Sequence, residues 1–120
     1  MSYLTPTDYL KAFHEWGYVR GIPEHSTPLA QSRKTIEEVH ELVEAATRLD
    51  MLDNWLMNGD AALHQEVETA LKDAIGDVIV TLVQVAACAK VDLTECLEQA
   101  WNDIKDRKGA FGPDGTWVKE

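Results

Sequence analysis

The chain has 120 residues, 45% of them hydrophobic, with 11 basic and 21 acidic side chains and a formal net charge of −10. At this length one domain spanning residues 1–120 and one buried core are expected, without covalent staples. An excess of acid excludes nucleic-acid polymers gripped by their phosphates, and anionic membrane surfaces, because both need a basic patch.

Helix signals dominate. The first helix is expected from about Thr7 to Trp16, stopping at Gly17, and Tyr18 to Ser26, which contains Gly21 and Pro23, reads as a loop. Thr27-Pro28 is a helix start, with threonine as N-cap and proline at the first helical position. The second helix then runs to about Asp50, and Asp53 to Asp60, with Asn58-Gly59, is the next loop. A long third helix spans Ala61 to Lys90. Asp92 and Glu95 make an Asp-x-x-Glu capping pattern that opens a fourth helix, ending at Gly109. The closing residues, with Gly-Pro-Asp-Gly, read as a turn and tail or a short hairpin. The expected fold is all-α, a bundle of four to five helices.

From Val78 to Ala89 apolar residues point in nearly every direction around the third helix. Such a helix must be surrounded. Three partner helices from this chain leave part of it uncovered, so a neighbouring copy is expected, in a homodimer or homotetramer. The same run is broken by Thr81 and Gln84 and is too short to cross a bilayer. Cys88 and Cys96, eight residues apart, match no zinc spacing and read as reduced thiols. The first eight residues have neither a basic start nor an apolar stretch, so no signal peptide is read and a cytoplasmic protein is expected.

The charge is unevenly placed. Residues 36–100 carry three basic and fourteen acidic groups, whereas residues 1–35 and 101–120 are close to neutral. On the second helix Ile36, Val39, Val43 and Ala46 make the expected core stripe. Gln31, Lys34, Glu38 and Glu41 fall within about 80° of one another on a different face, continued by Ala45 and flanked by Glu37 and Glu44. On the third helix Asp73 and Asp77 align to within about 40°, with Glu66 two turns earlier and Val80 and Gln84 continuing the line. Asp77 abuts the apolar segment and is expected to be at least partly buried. A buried carboxylate needs a base, a proton or a metal. Only Arg48, Lys72 and Lys90 lie among the fourteen acids, so a metal accounts best for the surplus. Two carboxylate pairs on adjacent helices offer four hard oxygen ligands, a set that suits Mg²⁺ or Mn²⁺ sharing its shell with substrate phosphates. A solvated face for the second-helix glutamates is the competing interpretation.

The residues Lys34-Thr-Ile-Glu37-Glu38-Val-His-Glu41-Leu, followed by Asp73-Ala-Ile-Gly-Asp77-Val-Ile-Val, resemble the MazG-like all-α nucleoside triphosphate pyrophosphohydrolases, whose signature is Glu-x-x-Glu and then Glu-x-x-Asp on the next helix. The stretch Ala100 to Gly109 (Ala-Trp-Asn-Asp-Ile-Lys-Asp-Arg-Lys-Gly) resembles the end of phage-type members, as does Trp16-Gly17 through Arg20-Gly21 with Gln31 and Lys34. One position departs: three before Asp77 stands Ala74, and the acid is Asp73, four before.

The resemblance implies Mg²⁺-dependent hydrolysis of a (deoxy)nucleoside triphosphate to the monophosphate and pyrophosphate. It assigns Glu38, Glu41, Asp73 and Asp77 as metal ligands, with the general base in the group Glu37, Glu38 and Glu41. Gln31 and Lys34 are placed beside the substrate and Lys34 reaches a phosphate oxygen. Asn102 and Lys105 contact phosphate or sugar, Arg107 and Lys108 add positive charge at the mouth, and Trp16 stacks on the base. Plainer roles stand beside these. Lys34 can pair with Glu38 at helical spacing, Arg107 and Lys108 can favour a helix C-terminus, and Trp16, Trp55, Trp101 and Trp117 can be packing anchors. Glu44 and Glu66, and His14, His25, His40 and His64, are read as ordinary surface, supporting or core residues. The alternatives to an enzyme are a non-catalytic acidic helical module that binds a partner protein, and a nucleotide-binding relative that has lost catalysis.

Overall fold

A computed structural model describes residues 4–54 and 61–120. Among these residues the chain is mostly helical and forms two compact units, Met1–Lys90 and Val91–Glu120. Trp55, Asn58-Gly59 and Asp60 lie outside the described residues.

The first unit begins with helix α1 (Pro6–Val19). A reciprocal cap starts it: Asp8 N–H donates to Thr5 Oγ1 at 3.2 Å, and Thr5 N–H donates to the Asp8 carboxylate at 2.9 Å. Gly17 does not stop this helix, as the sequence suggests; it is buried within it, and the chain turns only at Gly21, where φ is +76°. The expected loop that follows contains one helical turn, α2 (Ile22–His25), with Pro23 in its first turn where a missing N–H is not needed. Thr27 caps α3 (Pro28–Asn54), accepting from Ala30 N–H at 3.0 Å, and this helix runs four residues beyond the expected Asp50. Helix α4 (Ala61–Ala89) ends where Lys90 takes φ +58°.

Pairing of α3 with α4 dominates the unit. Ala45 and Leu52 of α3, and Val67, Ala74, Thr81, Val83, Gln84 and Ala86 of α4, are buried. A Thr35–Thr81 hydroxyl contact of 2.9 Å crosses the seam. Helices α1 and α2 lie against α4, tied by Gln84 Nε2 donating to the Phe13 carbonyl at 2.9 Å and by Cys88 Sγ to the Ile22 carbonyl at 3.7 Å. Small side chains at Ala45 and Ala74 line the seam.

This corrects the expected core stripe. Ile36 and Val43 are 59% and 58% exposed, and Val39 and Ala46 are exposed as well. The α3 face that meets α4 is the one carrying Ala45 and the acids, because Ala45 packs closely where branched side chains would hold the helices apart. On α4, Ile75, Ile79 and Leu82 are likewise exposed. Counted at 100° per residue from Ala45 and Ala74, both apolar stripes lie on the flank opposite Glu41, Asp73 and Asp77.

The second unit holds α5 (Leu93–Ile104) and a hairpin of β1 (Gly109–Phe111) and β2 (Trp117–Lys119). Asp92 caps α5, accepting from Thr94 N–H at 2.8 Å. The helix stops at Ile104, not at Gly109, because Gly109 opens a strand that pairs antiparallel with Lys119. A Cβ at Gly109 would run into the Val118 carbonyl and the Trp117 ring, so this register requires glycine. Phe111 and Trp117 meet edge to face with centroids 5.4 Å apart. Among the described residues, no single helix is long and apolar enough to cross a membrane.

Candidate functional site

Glu38 and Glu41 occupy successive turns of α3, and Asp77 faces them from α4. Each offers a carboxylate oxygen, and the three oxygens lie within 4.8 Å of one another. They meet because the Gln31–Lys34–Glu38–Glu41–Ala45 stripe is the α3 face turned to α4. Glu38 is the most enclosed, its side chain 14% exposed. Asp77, expected to be at least partly buried, is exposed: it stands at the rim of the α3–α4 seam beside a cleft and not beneath the apolar segment that follows it.

Two cavities flank the trio. One of about 400 Å³ is lined by Glu41, Glu44, Ala45, Arg48, Ala70, Asp73, Ala74 and Asp77. Asp73 is thus on the wall shared with Glu41 and Asp77 but outside the tight carboxylate group, since the four-residue offset swings it away from α3. Ala74, where the resembled motif has glutamate, lines the same cavity. Glu44, which flanks the acid stripe, and Arg48, two turns beyond Glu41, line this cavity too, and Arg48 brings it a cation. Glu66 is exposed.

The other cavity, about 390 Å³, is lined by Trp16, Ile22, Gln31, Lys34, Glu38, Asp77, Val80, Thr81 and Gln84. It brings together five residues read from the sequence: Trp16, Gln31, Lys34, Glu38 and Asp77. Lys34 Nζ donates to Glu37 Oε2 at 2.9 Å and lies 3.7 Å from Glu38 Oε1. The Glu37 hydrogen bond, then its charge, holds the Lys34 ammonium above its ordinary value. Lys34 therefore makes the local ion pairs that spacing allows while also standing on the cavity wall. Gln31 Nε2 donates to Ser26 Oγ at 2.9 Å. The Arg20 guanidinium sits 4.4 Å over the Trp16 ring and donates to the Trp16 carbonyl at 3.1 Å, fixing the indole from one side.

Asn102, Lys105, Arg107 and Lys108 belong to the second unit and are exposed there. Asn102 lies in the last turn of α5, and Lys105 is its C-cap. Arg107 and Lys108 follow the helix rather than ending it, and the Lys108 carbonyl accepts from Glu120 N–H at 2.9 Å. His64 pairs with Asp53 at 2.9 Å, and Cys88 and Cys96 are free thiols. Compared with known proteins, the chain matches no family model, no curated protein and no solved structure.

The donor set fits a hard divalent cation. It is all carboxylate oxygen, as Mg²⁺ and Mn²⁺ prefer. Ligand oxygens around an octahedral Mg²⁺ stand about 3–4 Å apart. The three carboxylate oxygens, within 4.8 Å of one another, stand near that spacing.

Proposed function

We propose that this chain is a Mg²⁺-dependent nucleoside triphosphate pyrophosphohydrolase, converting a (d)NTP and water to the (d)NMP and pyrophosphate. The observation that carries the reading is the convergence of Glu38, Glu41 and Asp77 from two helices, with a cavity on either side. The MazG-like resemblance of the same residues supplies the reaction class.

Glu38, Glu41 and Asp77 would hold the cation, with Asp73 completing the set directly or through water. Mg²⁺, or Mn²⁺, would supply charge neutralisation of the triphosphate and a lowered pKa for the attacking water. Lys34 Nζ, already beside Glu38, turns from its ion pair to a phosphate oxygen. Glu37 is engaged outward by Lys34, which leaves Glu38 or Glu41 to take the water's proton. Trp16 and Gln31 line the space for the base and sugar. Asn102, Lys105, Arg107 and Lys108 are carried over from the resemblance as further phosphate or sugar contacts. A second copy of the chain covers the Ile36–Val39–Val43 and Ile75–Ile79–Leu82 face, giving a homodimer or homotetramer.

Incubation with a panel of dNTPs and NTPs plus Mg²⁺ tests the reaction. Monophosphate and pyrophosphate are the expected products, and no turnover of any nucleotide overturns the reading. Ala74 favours one second reading, a relative that binds nucleotide without cleaving it; Mg²⁺-dependent nucleotide binding with no products would select it.

A further inference from the structure

The two cavities beside the carboxylates are chemically unlike, and Asp77 stands on the wall of both. Glu38 belongs to one and Glu41 to the other, so the trio lies where they adjoin. The Glu38 side has apolar walls at Trp16, Ile22 and Val80. On the Glu41 side the uncharged walls are Ala45, Ala70 and Ala74, and the cation is Arg48. Arg48 is two turns beyond Glu41 on α3, about 10 Å along the helix axis. It is exposed, and it also borders a smaller cavity of about 150 Å³ walled by Met51, Leu52, Leu63 and Val67. Its methylene stem favours that apolar neighbour, whereas the guanidinium favours the carboxylate side. Glu44 precedes Arg48 by one helical turn, the spacing of a helical ion pair, yet among the described residues Arg48 makes no ion pair. A planar fork of donors is left open at the edge of an acid-lined cavity.

We propose that Arg48 grips the pyrophosphate end of the substrate, so that the triphosphate crosses the carboxylate trio with its nucleoside on the Trp16 side and its β- and γ-phosphates on the Arg48 side. This rests on the pyrophosphohydrolase reading and adds to it a substrate direction and a phosphate-binding residue. The walls separate the two ends. A planar base gains contact from an indole and branched aliphatic groups and little from three alanines. The β- and γ-phosphates need donors and not apolar area, and a guanidinium meets two phosphate oxygens at once. With Glu38, Glu41 and Asp77 engaged on the cation, Arg48 is the positive group left in its cavity. Lys34, beside Glu38 on the Trp16 side, then serves the α-phosphate. In the reaction the water's oxygen bonds to the α-phosphorus, and a water proton passes to Glu38 or Glu41. The bond from that phosphorus to the bridging oxygen breaks, and the oxygen leaves with the pyrophosphate. The negative charge it carries away falls on the Arg48 side.

Binding calorimetry in Mg²⁺ with inorganic pyrophosphate, and with the four dNMPs as the opposite arm, tests this on wild type, Arg48→Met, Arg48→Lys and Lys34→Met. Arg48→Met keeps an apolar stem beside Leu52 and Val67 and removes the fork. It should weaken pyrophosphate at least about tenfold, the worth of a charge-assisted hydrogen bond, and leave dNMP binding as in wild type. Arg48→Lys keeps the charge without the fork and should recover part of that loss. Lys34→Met should do the reverse, weakening the dNMPs and sparing pyrophosphate. Unchanged pyrophosphate binding in Arg48→Met overturns the proposal, and so does an equal loss of pyrophosphate in Lys34→Met. A merely structural Arg48 would weaken pyrophosphate and dNMPs together, which also overturns it. Should Arg48→Met not fold, Arg48→Lys decides, and pyrophosphate binding equal to wild type overturns the proposal. Wild type that hydrolyses dNTPs yet binds no pyrophosphate overturns the direction alone. Failure to bind pyrophosphate or any nucleotide, together with no hydrolysis, overturns the pyrophosphohydrolase reading as well.

Discussion

Three carboxylates within 4.8 Å repel one another, and helical spacing alone makes the Glu38–Glu41 pair mildly unfavourable. Such crowding costs stability unless a cation binds. Asp77→Asn should therefore raise the melting temperature slightly in EDTA, and it should abolish the rise that Mg²⁺ gives wild type. A Mg²⁺ titration followed by thermal melts checks both, and a Mg²⁺ response unchanged from wild type removes Asp77 from the ligand set. On activity, Glu41→Gln and Asp77→Asn should each lower kcat/KM by at least about 100-fold with far-UV circular dichroism unchanged, since even supporting groups around a metal are worth about 10–100-fold. Full activity in either variant would discard its assignment. Ala74→Glu adds a carboxylate to the cavity that Asp73 and Asp77 line, and should tighten Mg²⁺ binding measured by the same melts.

At the level of helices, α1 is held by two devices at opposite ends. Its N-terminal cap depends on charge: hydrogen bonds from the Thr5 backbone and side chain keep the Asp8 carboxyl below its ordinary value of 3.8. A depressed carboxyl contributes stability above the unfolded value and loses it as pH falls through the lower, folded one. The cap is therefore complete at neutral pH and weakens below about pH 4. Thr5→Ala should cost about 1 kcal/mol in urea unfolding at neutral pH. Asp8→Asn should flatten the acid limb of the stability profile. At the other end, Gly17→Ala opposes two effects. Replacing a helical glycine by alanine contributes about 1 kcal/mol of propensity, but overpacking against the Gln84 amide costs about 1–3 kcal/mol. Net destabilisation is expected, and a rise in the urea midpoint would show that the amide moves aside freely.

For the molecule as a whole, two features lie on opposite flanks of the α3–α4 pair. One flank carries the acids, and the other carries Ile36, Val39, Val43, Ile75, Ile79 and Leu82, all exposed. A contiguous apolar surface of this kind marks an interaction site on a monomer. Sedimentation at micromolar concentration should give a multiple of the 13.4 kDa chain mass, and Val43→Asp with Leu82→Asp should reduce it to one. A wild-type monomer would remove the second copy from the proposal. The net charge of −10 adds a salt dependence: 36–100 carry the entire excess, so added Mg²⁺ should raise the melting temperature more than equal ionic strength from NaCl.

Helix content, the N-caps at Thr27 and Asp92, and the alignment of Glu38 with Glu41 were legible in the residues, because capping and 3.6-residue periodicity act within a few positions of the chain. Gln84 was legible only as the continuation of the Asp73–Asp77 line; that its amide nitrogen is tied to the Phe13 carbonyl comes from a contact 71 residues away in sequence. The faces of α3 were legible as two stripes, but not which of them turns inward. Hydrophobicity alone assigns the core to Ile36, Val39 and Val43, whereas close packing of Ala45 in the α3–α4 seam turns the acid stripe toward α4. That inversion needs the partner helix. A periodic pattern states which residues share a face, and only the packing of a second surface decides which face is covered. The same distinction separates Asp73 from Asp77: spacing puts both on one side of α4, and the position of α3 selects Asp77 for the carboxylate group.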